Sequence, residues 1–244
     1  MSFSDPFKSL YPFPNEVIIE RRAPAIDFAR HAFSRGRIDR CLVMWVDGSV
    51  QPRLPRKRQV ISASAVGWLD SSSSAWIESV TLSGLEHSTA CVMQAELTAI
   101  REAFRIAYGR VDEFDRLTIF SDSQPVLKGL RDQSTFSFLP GKDVMDDVLW
   151  YANRLYDLGL NVELRWVPGH SHVKGNERVD KLARRSRKLA VEFLSQAPPK
   201  TKVRNAIIIT QSSRMDRRNL PSLIALQLSK GDETISKRET ESST

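Results

Sequence analysis

Cysteine is nearly missing from this chain: there are two in 244 residues, Cys41 and Cys91. Each stands beside apolar neighbours, which reads as a reduced, buried thiol and argues against a disulfide scaffold, a cysteine metal site or redox chemistry. Long hydrophobic runs are lacking too. No stretch approaches the roughly 18 consecutive apolar residues of a membrane span. The opening segment, MSFSDPFKSLYPFPNE, mixes acids with prolines where a secretory leader would be basic and then apolar. The expectation is an intracellular protein, of nucleus or cytoplasm and not secreted. No internal repeat is visible.

Charge is plentiful but unevenly placed. The chain carries a net +7, yet residues 41–185 hold 18 Lys+Arg against 18 Asp+Glu; the excess lies in residues 1–40, with 7 against 5, and in residues 186–244, with 11 against 6. An acidic cluster offset by bound cations would leave such a core neutral, so charge alone neither establishes nor excludes a nucleic-acid partner. A hydrophobic fraction of 41% and this length suit one substantial core with tails. The expected division is an N-terminal extension over 1–40, one domain over 41–194, and a basic, partly disordered C-terminal extension over 195–244.

Within that domain, CLVMWVD at 41–47 is a continuous apolar run that suits a central strand buried on both faces and stopped by a turn at Asp-Gly-Ser. Strand-like runs follow at Val60–Leu69 and Trp76–Leu82 across a serine-rich turn, and their short connections predict an antiparallel meander. The spacing then becomes helical from Val92 to Tyr108, with Ser88 and Thr89 as N-cap candidates. Leu117–Ser121 reads as a strand, Ser123–Arg131 as a short helix, Phe136–Lys142 as a loop, Asp143–Leu158 as a helix, Asn161–Val167 as a strand and Asn176–Phe193 as a long basic helix. The predicted fold class is α/β: a mixed five-stranded sheet, an antiparallel meander plus two parallel strands, flanked by helices. Outside it, Ala25–Phe33 reads as a helix, Gln196–Lys202 as a linker and Gly231–Thr244 as a polar, disordered end. Ala206–Thr210 and Leu220–Leu228 are apolar enough to dock on the core.

Glu96 is the most informative single residue. On a helix over Val92–Ala107 it falls in the middle of the face formed by Val92, Met93, Ala99, Ile100, Ala103, Phe104 and Ala107, opposite Gln94, Thr98, Arg101, Glu102 and Arg105. A carboxylate facing a sheet needs a cation, a hydrogen-bonding partner or a raised pKa; the plainer alternative, of equal weight, is an edge-of-core glutamate paired with a lysine or arginine. Asp47 ends one strand, and Asp122 (LTIFSD) comes immediately after another. Either alone reads as a turn former, but parallel strands would bring both out at one edge beside Glu96, where open α/β sheets place their sites. Like charges so gathered call for a cation, and oxygen ligands without clustered cysteine select a hard one, Mg2+ or Mn2+. Phosphoryl transfer is the implied chemistry.

VDGS at 46–49, QAELTAI at 94–100, SDSQ at 121–124 and GHSHVKGNERVDKLA at 169–183 resemble, in order, the four motifs of the type 1 ribonuclease H family over roughly residues 41–185. The resemblance implies a ribonuclease H-like fold, two divalent ions held by Asp47, Glu96, Asp122 and Asp180, and His170 on a mobile loop assisting proton transfer or product departure. Imidazole in a Gly-flanked loop suits that task on its own chemistry, whereas His172 reads as an exposed loop residue. For Asp180, interaction with the helix dipole is the plainer alternative. Val92 and Met93 replace the paired polar residues that many cellular members carry before the glutamate. The insert after the third motif is also short, with Lys142 its one cation between Gln133 and Asp147. Both features, with WVPGH and GNE, look more like the ribonuclease H domain of non-LTR retrotransposons.

The function so implied is hydrolysis of the RNA strand of an RNA–DNA hybrid by a monomeric endonuclease, leaving 3′-hydroxyl and 5′-phosphate ends. Mg2+ is the expected ion, with Mn2+ able to substitute. Ser49, Gln124 and Asn176 flank the carboxylates and can donate and accept, which makes them candidates for 2′-hydroxyl contacts; turn and cap chemistry is their alternative. Two other readings stand beside this one, a catalytically inactive nucleic-acid-binding relic of a retroelement and a related two-metal nuclease acting on DNA. The cluster RRSRK at 184–188 fits nuclear import, phosphate binding or a solvated helix end.

Overall fold

The computed structural model describes residues 13–35, 40–51, 59–70, 74–86, 92–132, 142–196, 206–211, 221–222 and 224. Its centre is the meander expected from the sequence. Strands β2 (Cys41–Val50), β3 (Gln59–Leu69) and β4 (Trp76–Glu86) pair antiparallel, while β5 (Arg116–Ser121) and β6 (Asn161–Trp166) add parallel to β2. Two further strands widen the sheet to seven instead of five. The strand β1 (Glu16–Ile18) pairs parallel with β6, and β7 (Ala206–Gln211) antiparallel with β4, giving the order β1-β6-β5-β2-β3-β4-β7. Both flanking segments therefore lend a strand to the central sheet.

Helices α2 (Val92–Tyr108), α3 (Gln124–Asp132) and α4 (Lys142–Asp157) cover one face, and α1 (Arg22–Arg35) with α5 (Lys174–Gln196) covers the other. The strand β2 shows why both faces need cover. Leu42, Met44 and Val46 enter the cluster under α2, whereas Val43 and Trp45 enter the cluster under α5. Alternation on a strand buried on both sides thus produces the continuous apolar run of its sequence. Each such side chain stabilises the fold by roughly 1.5–3 kcal/mol relative to exposure. Trp45 stacks on Phe120 at 5.5 Å, and α5 lies so close that a Cβ on Gly175 would stand 2.3 Å from the Trp45 ring. The C-terminal segment is also tied in, since Ile224 is buried in the cluster beneath α5.

One further expectation needs correction. The strand β2 does not stop at a turn after Asp47; it runs on to Val50, because Asp47, Gly48 and Ser49 pair with Ala65, Ser64 and Ala63 of β3. The polar face of α2 is partly covered. Thr98 and Glu102 are buried, because α4 packs across that side. Glu102 is held there by Arg101 and Arg105, each at 2.7 Å, and Arg101 reaches Asp147 of α4 at 3.7 Å. Partnered in this way, a buried carboxylate needs no metal. The N-cap candidates Ser88 and Thr89, the loop Phe136–Lys142 but for its last residue, and Cys91 lie outside the described residues. Cys41 is a free thiol. Among the described residues, no helix is long and apolar enough to cross a membrane.

Candidate metal centre

Three elements converge at one end of the sheet. In the parallel pairing of β2 with β5, Trp45 stands opposite Phe120, so two residues further along each strand Asp47 and Asp122 emerge side by side. Glu96 arrives from α2, and close approach brings it in: a Cβ on Gly48 would lie 2.5 Å from the Glu96 backbone nitrogen, so only glycine lets the helix settle on the strand there. Carboxylate oxygens of Asp47, Glu96 and Asp122 lie within 4.8 Å of one another. Asp47 is 5% exposed and Glu96 4%.

Burial dominates the electrostatics. It pushes Asp47 up to about 8, with the charges of Asp122 and Asp180 adding to the rise; the nearby Arg184 guanidinium and the Gly48 backbone N–H pull the other way. Glu96 is raised well above the ordinary range by burial first and then by Asp47 and Asp122, against a hydrogen bond from the Gly48 backbone. Burial also raises Asp122, opposed by its hydrogen bond from Asn176. Glu96 Oε2 is buried without a hydrogen-bond partner. Glu102, on the same helix, has its two arginines; Glu96 has none among the described residues. An orphaned buried oxygen facing two further carboxylates is the donor set of a hard divalent cation, and its residues fit one.

The other expected residues sit around this trio. Asp180, on the second turn of α5, adds its charge to all three groups but is itself ion-paired with Arg184 one turn on. Asn176 is buried and donates its side-chain amide to Asp122 Oδ2 at 3.3 Å, leaving its own Oδ1 without a partner. Ser49 accepts a hydrogen bond from Arg187 Nε at 3.0 Å. Gln124 opens α3, half-buried, just after Asp122. His170 is exposed between β6 and α5, near enough to Asp122 to oppose the rise in its pKa. His170 and His172 both adopt left-handed backbone angles, with φ of 52° and 57°, a conformation that costs a non-glycine residue roughly 1–2 kcal/mol. His172 points its ring at Glu177, at 3.2 Å. The Ser171 carbonyl between them accepts from Arg30 of α1 at 3.2 Å, so the N-terminal segment fastens this loop.

Sequence reasoning named Gly48 within its motif and gave the cluster at 184–188 phosphate binding among its readings, but it placed neither Arg184, Arg187 nor Arg30 beside the carboxylates. Arg184 was readable, because residues four apart on a helix are neighbours. Arg30 carried no signal, since its contact spans 141 positions of chain.

Residues 39–188 match the model of the RNase H family. Among solved structures, RNase H1 of Halobacterium salinarum NRC-1 is 21% identical, the alignment covering 64% of this chain and 99% of that one with a TM-score of 0.39. LC11-RNase H1 in complex with an RNA/DNA hybrid is 12% identical, with 62% and 99% covered and a TM-score of 0.44. The foamy viral protease-reverse transcriptase in complex with RNA/DNA hybrid is 17% identical over 60% of this chain, which spans 20% of that protein, with a TM-score of 0.42. No curated protein sequence matches the chain.

Proposed function

The chain belongs to the RNase H family, and from that premise we propose that it hydrolyses the RNA strand of RNA–DNA hybrids internally, leaving 3′-hydroxyl and 5′-phosphate ends. The observation that carries the reading is the trio of buried Asp47 and Glu96 with half-buried Asp122, their oxygens within 4.8 Å of one another and one Glu96 oxygen unpartnered. A fold that gathers three mutually repelling carboxylates stores an unfavourable interaction which only bound cations or protons relieve. Asp47, Glu96, Asp122 and Asp180 would hold two Mg2+ ions, or Mn2+ in their place. When bound, the ions would supply the positive charge that offsets the charge developing on the phosphoryl oxygens.

The chain's own groups have separable tasks. The Gly48 backbone N–H favours the charged forms of Asp47 and Glu96, and the Asn176 amide orients Asp122. A carboxylate fixed before substrate arrives costs no reorganisation during the reaction. His170, exposed beside Asp122, gives a proton to the departing 3′-oxygen or accepts one from water, while water oxygen bonds to phosphorus and the phosphorus–O3′ bond breaks. Gln124 is offered to the RNA's 2′-hydroxyls, which distinguish it from DNA, whereas Ser49 is already engaged by Arg187. Asn176 is buried on Asp122 and serves the carboxylate first.

The test is incubation of the purified protein with end-labelled RNA–DNA hybrid, with and without Mg2+ or Mn2+. Cation-dependent internal cuts confined to the RNA strand are expected. Binding without cutting would favour a non-catalytic nucleic-acid binder, and cutting of the DNA strand would favour a DNA nuclease.

A further inference from the structure

Two rows face one another across the mouth of the carboxylate centre. On β2, Asp47 and Ser49 project on the same side, two residues and about 6.6–6.8 Å apart. On α5, Asp180, Arg184 and Arg187 follow at helical spacing. Asp47 and Asp180 are the acidic ends of these rows, and Ser49 and Arg187 meet at 3.0 Å at the other end.

Arg187 differs from its neighbour. Arg184 has Asp180 as its partner, but among the described residues no carboxylate pairs with Arg187, whose recorded side-chain contact is the Ser49 hydroxyl. It is half-buried, and burial together with the Arg184 charge lowers its pKa: the guanidinium stands where a cation is disfavoured. Ser49 accepts from Arg187 Nε and has no acceptor for its own O–H among the described residues. The terminal N–H groups of Arg187 are likewise free of any described acceptor. A buried-edge set made of donors alone, with excess positive charge, lacks an anion.

We propose that Arg187 and Ser49 form a phosphate subsite that takes the backbone phosphate next to the scissile one on the strand being cut. The step of two strand residues from Asp47 to Ser49 separates this subsite from the metal centre. Fork-shaped donors match a phosphate's paired oxygens better than a lysine does. The identity of the strand rests on the function proposed above; the phosphate site itself rests on the donors.

The experiment is fluorescence anisotropy with a labelled RNA–DNA hybrid over a salt series. The parent and each variant carry Asp122→Asn, so that the hybrid survives. Arg187→Ala should weaken binding about tenfold near 0.1 M salt and reduce the slope of log affinity against log salt by about one. Arg187→Lys should keep the slope while losing part of the affinity. Ser49→Ala should weaken binding without changing the slope. The proposal is overturned if Arg187→Ala binds with the parent's affinity and slope. It is equally overturned if Ala and Lys lose affinity alike with neither slope altered, which would mark a packing role. Cleavage by the unsubstituted protein is scored separately: an Arg187-dependent slope on a hybrid that is never cut keeps the subsite and removes the nuclease, whereas cutting with no Arg187 effect does the reverse.

Discussion

Arg184 and Asp180, one turn apart on α5, are ion-paired, so Asp180, whose charge reaches the trio, has a guanidinium partner while Glu96 Oε2 has none. Arg184 is an internal counter-ion at the place where the family resemblance puts a metal ligand. A divalent cation at Asp180 competes with it. Replacing Arg184 by alanine should therefore tighten divalent-cation binding, by roughly fivefold, since a half-exposed pair is worth about 1 kcal/mol or less. Calorimetric titration with Mn2+ reads this directly. An unchanged or weaker affinity would mean that the pair does not contest the site.

Asp47→Asn should reduce cleavage by on the order of 10²–10³-fold or more while leaving the fold intact, because it removes ligand charge from the cluster without altering side-chain shape. The metal-free variant should melt higher than the parent, since the repulsion felt by Glu96 and Asp122 falls. The shift should be roughly 2–4 °C per kcal/mol relieved. Wild-type cleavage by this variant would remove the assignment altogether.

The sign of the pH dependence follows from the same carboxylates. Asp47 is raised to about 8 in the fold, and Glu96 is raised as well, above their unfolded values. Below the unfolded pKa both states are protonated and nothing is lost; as pH rises towards the folded pKa, the unfolded chain sheds its protons first and gains on the native state. Without divalent ions, stability should therefore fall between about pH 4 and pH 8. Saturating Mg2+ should flatten that slope. Melting curves across this range in EDTA and in Mg2+ check it, and parallel curves would contradict the account.

His170→Ala should slow turnover without abolishing it. The ring is exposed and touches the centre only through its influence on Asp122, so proton transfer through solvent remains open. Single-turnover rates are the measure. A loss as deep as that of Asp47→Asn would give the histidine a larger part than its position supports.

Much of this was legible in the sequence because it is local. The run at 41–47, the inward glutamate on α2 and the aspartate closing β5 each follow from periodicity within a dozen residues, and the parallel pairing that unites Asp47 with Asp122 follows from the helix between the strands. What escaped is non-local. The extension of β2 through Gly48 depends on β3 lying alongside, the burial of Glu102 depends on α4, and the edge strands β1 and β7 find their partners only once the sheet exists. Short apolar runs such as AIIIT state that they will be buried, not where.

The strand β7 also sets how the basic C-terminal flank is to be tested. It pairs with β4 from Ile77↔Gln211 to Leu82↔Ala206, and Ile224 is buried beneath α5, so this segment is part of the sheet and its core. Deleting residues 205–244 should expose the backbone edge of β4 between Ile77 and Leu82. An uncovered edge recruits other edges. The deleted protein should melt lower and self-associate, which light scattering would detect, and its hybrid binding would then report on aggregation as well as charge. Neutralising Lys200, Lys202, Arg204, Arg214, Arg217 and Arg218 to glutamine keeps β7 and removes the charge alone. That variant should scatter no more light than the parent, bind hybrid more weakly with a flatter salt dependence, and cut at an unchanged rate when saturated. If its salt slope equals the parent's, the flank serves the sheet and makes no contact with phosphate.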